Sequence, residues 1–196
     1  HIAEAELKTH HPIHVLIART GYTGEDGVEI IVPNAHAEAL WDKLLHMGDT
    51  HGLVPVGLAA RDTLRLEAAY PLHGHDISEE YTPLEAGLGW SVKLNQEADF
   101  IGKQALLKQK EAGLKRRLVC FKLKAKTIAR QHDVILKNGQ PVGEVTSGSI
   151  SPLFNEPIGM GYCQSDPIPG PGDTIEINVR GRQVEAELVT RPFYKA

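Results

Sequence analysis

Two short apolar runs flank a polar, glycine-rich loop near the start of the chain. Residues 13–19 read as one strand and 28–32 as the next, with Val28, Ile30 and Val32 on one face and Glu29 and Ile31 on the other. The period then lengthens. Ala37, Leu40, Trp41, Leu44 and Leu45 recur at the spacing of a core-facing helical stripe, with Asn34 as its expected N-cap and Gly48 as its expected end. Residues 57–69 predict a second helix, on which Arg61 and Arg65 lie one turn apart on a shared face. A polar loop is expected over 71–83 and a further strand over 88–94. Asp99 is the expected cap of a short helix through Ile101, Ala105 and Leu106. The charged, glycine-containing stretch 108–117 marks the expected domain boundary, dividing 1–112 from 113–196.

Beyond that boundary only short strands with turn punctuation are expected: 118–124, 134–137, 142–146, 158–163, 174–179 and 183–189. Asn138-Gly139 is a two-residue hairpin signal, because both residues tolerate the positive φ of a type I′ turn. The last pair alternates cleanly, with Ile175, Ile177 and Val179 facing Val184, Ala186 and Leu188 across Arg180-Gly181-Arg182. Six strands with no intervening helix predict a small closed antiparallel barrel. The chain is therefore expected to be α+β, a ferredoxin-like or βαβ-like layer followed by a C-terminal β-barrel.

Bulk composition narrows the function classes. The 196 residues suffice for one large domain or two smaller ones, and 41% hydrophobic with 23% charged residues is the balance of an ordinary globular protein. A net charge of −4 argues against nucleic acid as a partner, which needs a basic stripe. No apolar run is long enough for a membrane span and no signal-peptide pattern opens the sequence, so a cytoplasmic or organelle-matrix protein is expected. Cys120 and Cys163 sit in separate apolar runs without a CxxC partner and read as small buried hydrophobes. The residues from His1 onward look like mid-domain sequence, which predicts one piece of a longer polypeptide.

Gly21, Gly24 and Gly27 interrupt the strand pattern at intervals of three residues, a loop able to present Tyr22, Glu25, Asp26 and Glu29 at one mouth. The spacing G-x-x-G-x-x-G followed by a strand is not a dinucleotide fingerprint, and from the residues alone a structural hairpin loop stands beside a ligand-binding one. A carboxylate at Glu29, among apolar neighbours, would need a ligand or a cation to satisfy it. His73-Gly74-His75-Asp76 has the look of a metal cluster. No further His or Cys completes a ligand set, so the loop is expected to be solvent-facing and metal-free. His10-His11 is expected on a solvated edge. No Ser or Cys lies in a nucleophile elbow. By itself Arg61 reads as a solvated or ion-paired helix residue, and Tyr194 as a packed tail residue.

Five separated segments together resemble the glycine-cleavage T-protein family of tetrahydrofolate-dependent aminomethyltransferases: Arg19-Thr-Gly-Tyr-Thr-Gly-Glu-Asp-Gly-Val-Glu-Ile30, Gly57-Leu-Ala-Ala-Arg-Asp-Thr-Leu-Arg-Leu-Glu67, Thr82-Pro-Leu-Glu-Ala-Gly-Leu88, Gly143-Glu-Val-Thr-Ser-Gly148 and Ile158-Gly-Met-Gly-Tyr162. The match corresponds to the C-terminal half of such proteins, which implies the end of the folate-binding α/β domain followed by the family's barrel. The resemblance also implies folate contacts at Glu29, Arg61 and Tyr194. A catalytic aspartate in the family's N-terminal half is not part of this chain, so no catalytic residue is expected here. The implied reaction moves a one-carbon unit from the aminomethyl-lipoyl arm of the glycine-cleavage carrier (H) protein to tetrahydrofolate, with release of ammonia. Two alternatives share the module: flavin-fused sarcosine and dimethylglycine oxidoreductases, and non-enzymatic folate-binding relatives in iron–sulfur maintenance. The chain departs from the family at Leu72-His-Gly-His-Asp76, where relatives commonly carry Leu-Tyr-Gly-Asn-Asp.

Overall fold

The computed structural model describes residues 2–7 and 13–196; His10-His11 lie outside that range. The chain divides into two compact units, 1–64 and 65–195. In the first, β1 (Ile2–Leu7), β2 (Ile13–Ala18) and β3 (Glu29–Ile31) form an antiparallel sheet in the order β1-β2-β3. Glu29 pairs with Ala18, and Ile31 with Leu16.

Helix α1 spans Ala37–Gly48 and differs from the expectation at both ends. Asn34 opens a 3-10 turn, in which the His36 amide reaches the Pro33 carbonyl at 2.9 Å, so His36 stands at the cap and no side chain caps the helix. Gly48 lies within the helix. A second 3-10 turn, Asp49–His51, follows before Gly52 ends the run at φ +75°. The expected core-facing stripe is mostly in water. Leu40 is buried and Leu45 half-buried, whereas Ala37 is exposed, Trp41 is 52% exposed and Leu44 41%. Helix α2 (Leu58–Glu67) follows.

The second unit opens on the last residues of α2. Thr82 and Glu85 form a reciprocal capping box: the Thr82 amide donates to the Glu85 carboxylate at 2.9 Å, and the Glu85 amide to the Thr82 hydroxyl at 3.2 Å. Residues 88–94, expected as a strand, instead contain a 3-10 turn, Gly89–Ser91. Their backbone groups are spent locally, Ser91 N–H to Leu88 O and Val92 N–H to Gly89 O. Helix α3 (Lys103–Ala112) begins after Gly102 at φ +89°. Among the described residues Asp99 accepts from the adjacent Phe100 amide and not from a helix N-terminus, and Ile101 is fully exposed.

Six strands then close a barrel: β4 (Arg116–Leu123), β5 (Val134–Lys137), β6 (Gln140–Ser151), β7 (Glu156–Gln164), β8 (Thr174–Val179) and β9 (Arg182–Val189), in the order β4-β7-β6-β5-β8-β9 with every pair antiparallel. Asn138 (φ 54°) and Gly139 (φ 73°) make the expected hairpin turn. Val179 pairs with Arg182, so the second tight turn is Arg180-Gly181 alone. Alternation along β4 serves two cores. Val119, Phe121 and Leu123 point into the barrel with Ile135, Val145, Ile177 and Leu188, while Leu118 and Cys120 join Ile158, Met160 and Tyr162 against Leu66 and Ala69 outside it. Cys120 and Cys163 are buried free thiols.

Candidate functional site

The loop 19–28 links β2 to β3 and, with α2, encloses a cavity of about 440 Å³ lined by Thr20, Tyr22, Glu29, Val56, Arg61 and Leu64, among others. Only Gly24 of the three loop glycines takes a positive φ, at 80°. At Gly21 and Gly27 a Cβ would meet open space, so these two leave room without being forced by backbone geometry. Arg19 pairs with Asp26 at 3.3 Å, and the Glu25 amide bonds the Thr23 hydroxyl at 3.3 Å, which folds the loop on itself.

Two of the three expected site residues meet at this cavity. The Arg61 guanidinium lies 4.6 Å from the centre of the Tyr22 ring, a cation–π arrangement on the cavity wall. Glu29 accepts a hydrogen bond from the Thr20 hydroxyl. It is exposed, which corrects the expectation of a carboxylate set among apolar neighbours: Val28 and Ile31 are themselves 57% and 59% exposed. The cavity thus presents a carboxylate, a guanidinium and an aromatic face to one small volume. A carboxylate accepts N–H donors from a heterocycle edge, and a guanidinium holds an anionic or carbonyl group. Tyr194, the third, belongs to the other unit. It is half-buried, and its amide donates to the Glu67 carbonyl at 2.9 Å.

The loop at His73-Gly74-His75-Asp76 is only partly solvent-facing. Both imidazoles are exposed, but Asp76 is wholly buried, which overturns the expectation for that residue. Its carboxylate pairs with Arg65 at 2.7 Å and accepts from the Leu72 amide at 2.9 Å, from the Ser147 hydroxyl at 2.9 Å and from the Thr146 hydroxyl. Its backbone carbonyl accepts the Tyr162 phenol at 2.9 Å. Tyr162 stacks on Tyr81 with ring centres 3.8 Å apart, and Arg116 covers the other ring at 4.6 Å. Burial pushes the Tyr162 phenol well above the ordinary tyrosine range. Reasoning from sequence missed this assembly; the shared face of Arg61 and Arg65 was its one visible trace.

A larger cavity, about 590 Å³, lies in the second unit beside Ala69, Trp90, Leu118 and Cys120. Its two arginines are turned onto backbone: Arg191 caps the Ala86 and Ala69 carbonyls at 2.9 and 3.2 Å, and Arg117 that of Pro169 at 3.3 Å. Among the described residues no helix is long and apolar enough to cross a membrane.

A small sheet-and-helix unit bearing a polar cleft, joined to a closed six-stranded antiparallel barrel, is the architecture of T-protein-like folds. Residues 2–96 match the GCVT N-terminal domain and residues 116–195 the glycine cleavage T-protein C-terminal barrel domain. The aminomethyltransferase of Alkaliphilus metalliredigens is 49% identical over 183 residues, covering 93% of this chain and 49% of the relative. That of Halothermothrix orenii is 54% identical over 179 residues, covering 91% and 50%. The crystal structure of glycine cleavage system aminomethyltransferase T from Bartonella henselae superimposes with a TM-score of 0.85 at 40% identity, over 92% of this chain and 50% of that one. This chain belongs to the glycine-cleavage T-protein family. It spans about half the length of the curated relatives it matches.

Proposed function

We propose that this chain carries a tetrahydrofolate-binding wall and the C-terminal barrel of an aminomethyltransferase of the glycine cleavage system, working in the cytoplasm. The observation that carries the reading is the placement of Glu29 and Arg61 on one cavity beside the Tyr22 ring. The cavity, about 440 Å³, has the size of pockets that take small heterocycles. In this reading Glu29 accepts N–H bonds from the pterin edge, while Arg61 pairs with a carbonyl or carboxylate of the same molecule. Tyr194 is a third folate contact, proposed on the resemblance. Tetrahydrofolate is the acceptor substrate, and its amine takes the one-carbon unit from the aminomethyl-lipoyl arm of the carrier (H) protein as ammonia leaves. The contribution of these residues is positioning, which makes a bimolecular step effectively unimolecular.

The family's catalytic aspartate belongs to the half of the relatives that this chain does not span, so we expect the 196 residues alone not to turn over. The deciding experiment joins this chain to that half of the Halothermothrix orenii relative and titrates tetrahydrofolate calorimetrically. Saturable binding that is lost with Arg61→Ala supports the reading. Binding untouched by changes at both Glu29 and Arg61 removes it.

A further inference from the structure

Residues 190–196 follow β9 and belong to no strand or helix, yet they are fastened to the end of α2. That helix closes in a Schellman turn: the Tyr70 amide donates to the Arg65 carbonyl at 2.8 Å and the Ala69 amide to the Leu66 carbonyl at 2.9 Å, with Ala69 at φ 53°, where glycine is usual. Carbonyls at the end of a helix lack partners within it. Here the tail supplies two. The Tyr194 amide donates to the Glu67 carbonyl at 2.9 Å, and one arm of the Arg191 guanidinium to that of Ala69 at 3.2 Å. The other arm reaches the Ala86 carbonyl at 2.9 Å, so one side chain ties the tail, the helix end and the loop at Ala86 together. A cation at a helix C-terminus is also favoured by the aligned backbone dipoles. Between the two ties, Phe193 packs against the cluster of Leu66 and Ala69. Gly87 leaves the guanidinium its space: a Cβ there would lie 2.3 Å from Arg191 Nη1, and the residue stands at φ +70°.

We propose that Arg191 is a positioning residue for Tyr194: by gripping the Ala69 and Ala86 carbonyls it holds the tail on the path that presents the Tyr194 side chain to folate. The inference rests on the reading of Tyr194 as a folate contact and adds the group that places it. The guanidinium bonds go to backbone oxygens rather than to a carboxylate, so they fix the course of the chain instead of balancing a charge. The grip lies three residues before Tyr194, and the amide of Tyr194 itself makes the second tie. Both ties are to the end of the helix that carries Arg61. A terminal segment without ladder bonds is poorly ordered unless it is tied down, and a ligand contact made from such a segment is only as well placed as its ties.

The test combines tetrahydrofolate calorimetry on the joined protein with amide exchange on the 196-residue chain. Arg191→Met keeps the aliphatic stem and removes the donors; at a half-buried tail position it should leave the barrel folded. Exchange of the Tyr194 amide should speed up, while that of Phe121 and Leu188 in the barrel stays as it was. Folate binding should weaken about tenfold, and combining Arg191→Met with Tyr194→Ala should add nothing to the loss from Tyr194→Ala alone. With Arg61→Ala the effect of Arg191→Met should multiply. A group that merely stabilised the fold would add to both. Arg191→Lys, which keeps the charge but lacks the two-armed fork, should fall between. Full additivity with Tyr194→Ala, or an unchanged exchange rate at Tyr194, would overturn the proposal. A Tyr194→Ala variant with undiminished folate affinity would also overturn it while leaving the reading of Glu29 and Arg61 in place. A joined protein that binds no folate removes the functional reading, and exchange of the Tyr194 amide then decides alone whether Arg191 holds the tail.

Discussion

Thr146 and Ser147 are neighbours on β6, yet both hydroxyls donate to the Asp76 carboxylate. A regular strand sends adjacent side chains to opposite faces. Here Val145 pairs with Gly161 and Ser147 with Met160, leaving Thr146 as the extra residue of a bulge, and the bulge turns both hydroxyls to one side. The carboxylate they hold also neutralises Arg65, which is as deeply buried.

Removing one partner of this pair should cost far more than removing a donor. Asp76→Ala removes the carboxylate that balances the buried Arg65 guanidinium, and unfolding in urea should show a loss of about 3–5 kcal/mol. Thr146→Val leaves one carboxylate oxygen short of a donor and should cost about 1–3 kcal/mol. Equal effects would mean that the charge of Asp76 is not what the site depends on.

The glycines of the Gly143–Gly148 segment are predicted to be structural. A Cβ on Gly143 would lie 1.8 Å from the Tyr162 carbonyl oxygen, and one on Gly148 2.1 Å from that of Ala129. Backbone cannot yield as a side-chain tip can. Gly143→Ala should destabilise the barrel by about 3 kcal/mol or more, read as a lower thermal midpoint, with the Arg61 and Tyr22 cavity unaffected.

The two thiols should report on the barrel as pH rises. Burial holds both Cys120 and Cys163 neutral and pushes each from an ordinary 9.0 up to about 12. A folded-state pKa above the unfolded value means stability that is complete below pH 9 and is lost as pH climbs towards 12. Stability should therefore fall through that window, and Cys120→Ala with Cys163→Ala should flatten the decline. Both thiols should resist alkylation at neutral pH until the chain unfolds.

Features set by local chemistry were legible in the sequence, whereas those set by tertiary geometry were not. Asn138-Gly139 announces its turn because positive φ is a property of those two residues, and the alternation of Ile175 and Ile177 announces a strand with one buried face. The bulge at Thr146 has no such signature, since period-two patterning assumes that none is present. Asp76 was misread because its flanking histidines are surface residues; its burial depends on Arg65 and on a strand seventy residues away. The stripe on α1 was read correctly as apolar and wrongly as covered. The glycine loop and the helical spacing offered Glu29 and Arg61 only as candidates for a polar ligand; their assignment to folate came from the resemblance.

Arg61 should be replaceable only in part. Arg61→Lys keeps a positive charge but loses the flat guanidinium that lies over the Tyr22 ring. In the joined protein, tetrahydrofolate affinity should fall by about 1.5–3 kcal/mol for Arg61→Ala and by less for Arg61→Lys, as measured by calorimetry. A lysine variant as weak as the alanine would assign the residue's role to its planar geometry rather than its charge.

Glu29 gives the sharpest separation of ligand binding from folding. Its side chain is exposed, and its described partner is the hydroxyl of Thr20, two residues before Tyr22. Glu29→Gln keeps the volume and can still accept from Thr20, but it exchanges one acceptor oxygen for a donor and removes the charge. A ligand that offers N–H groups to both carboxylate oxygens would then meet a repulsive donor, so tetrahydrofolate affinity in the joined protein should drop by about 1.5–3 kcal/mol. The thermal midpoint without ligand should hardly move, because an exposed carboxylate bonded to a hydroxyl contributes little to folding. Thr20→Val should reproduce part of the affinity loss by releasing the carboxylate from its fixed position. If folate affinity survived both changes while the ligand-free protein lost stability, Glu29 would be holding the loop 19–28 together rather than receiving a ligand, and the site would have to be sought elsewhere on the chain.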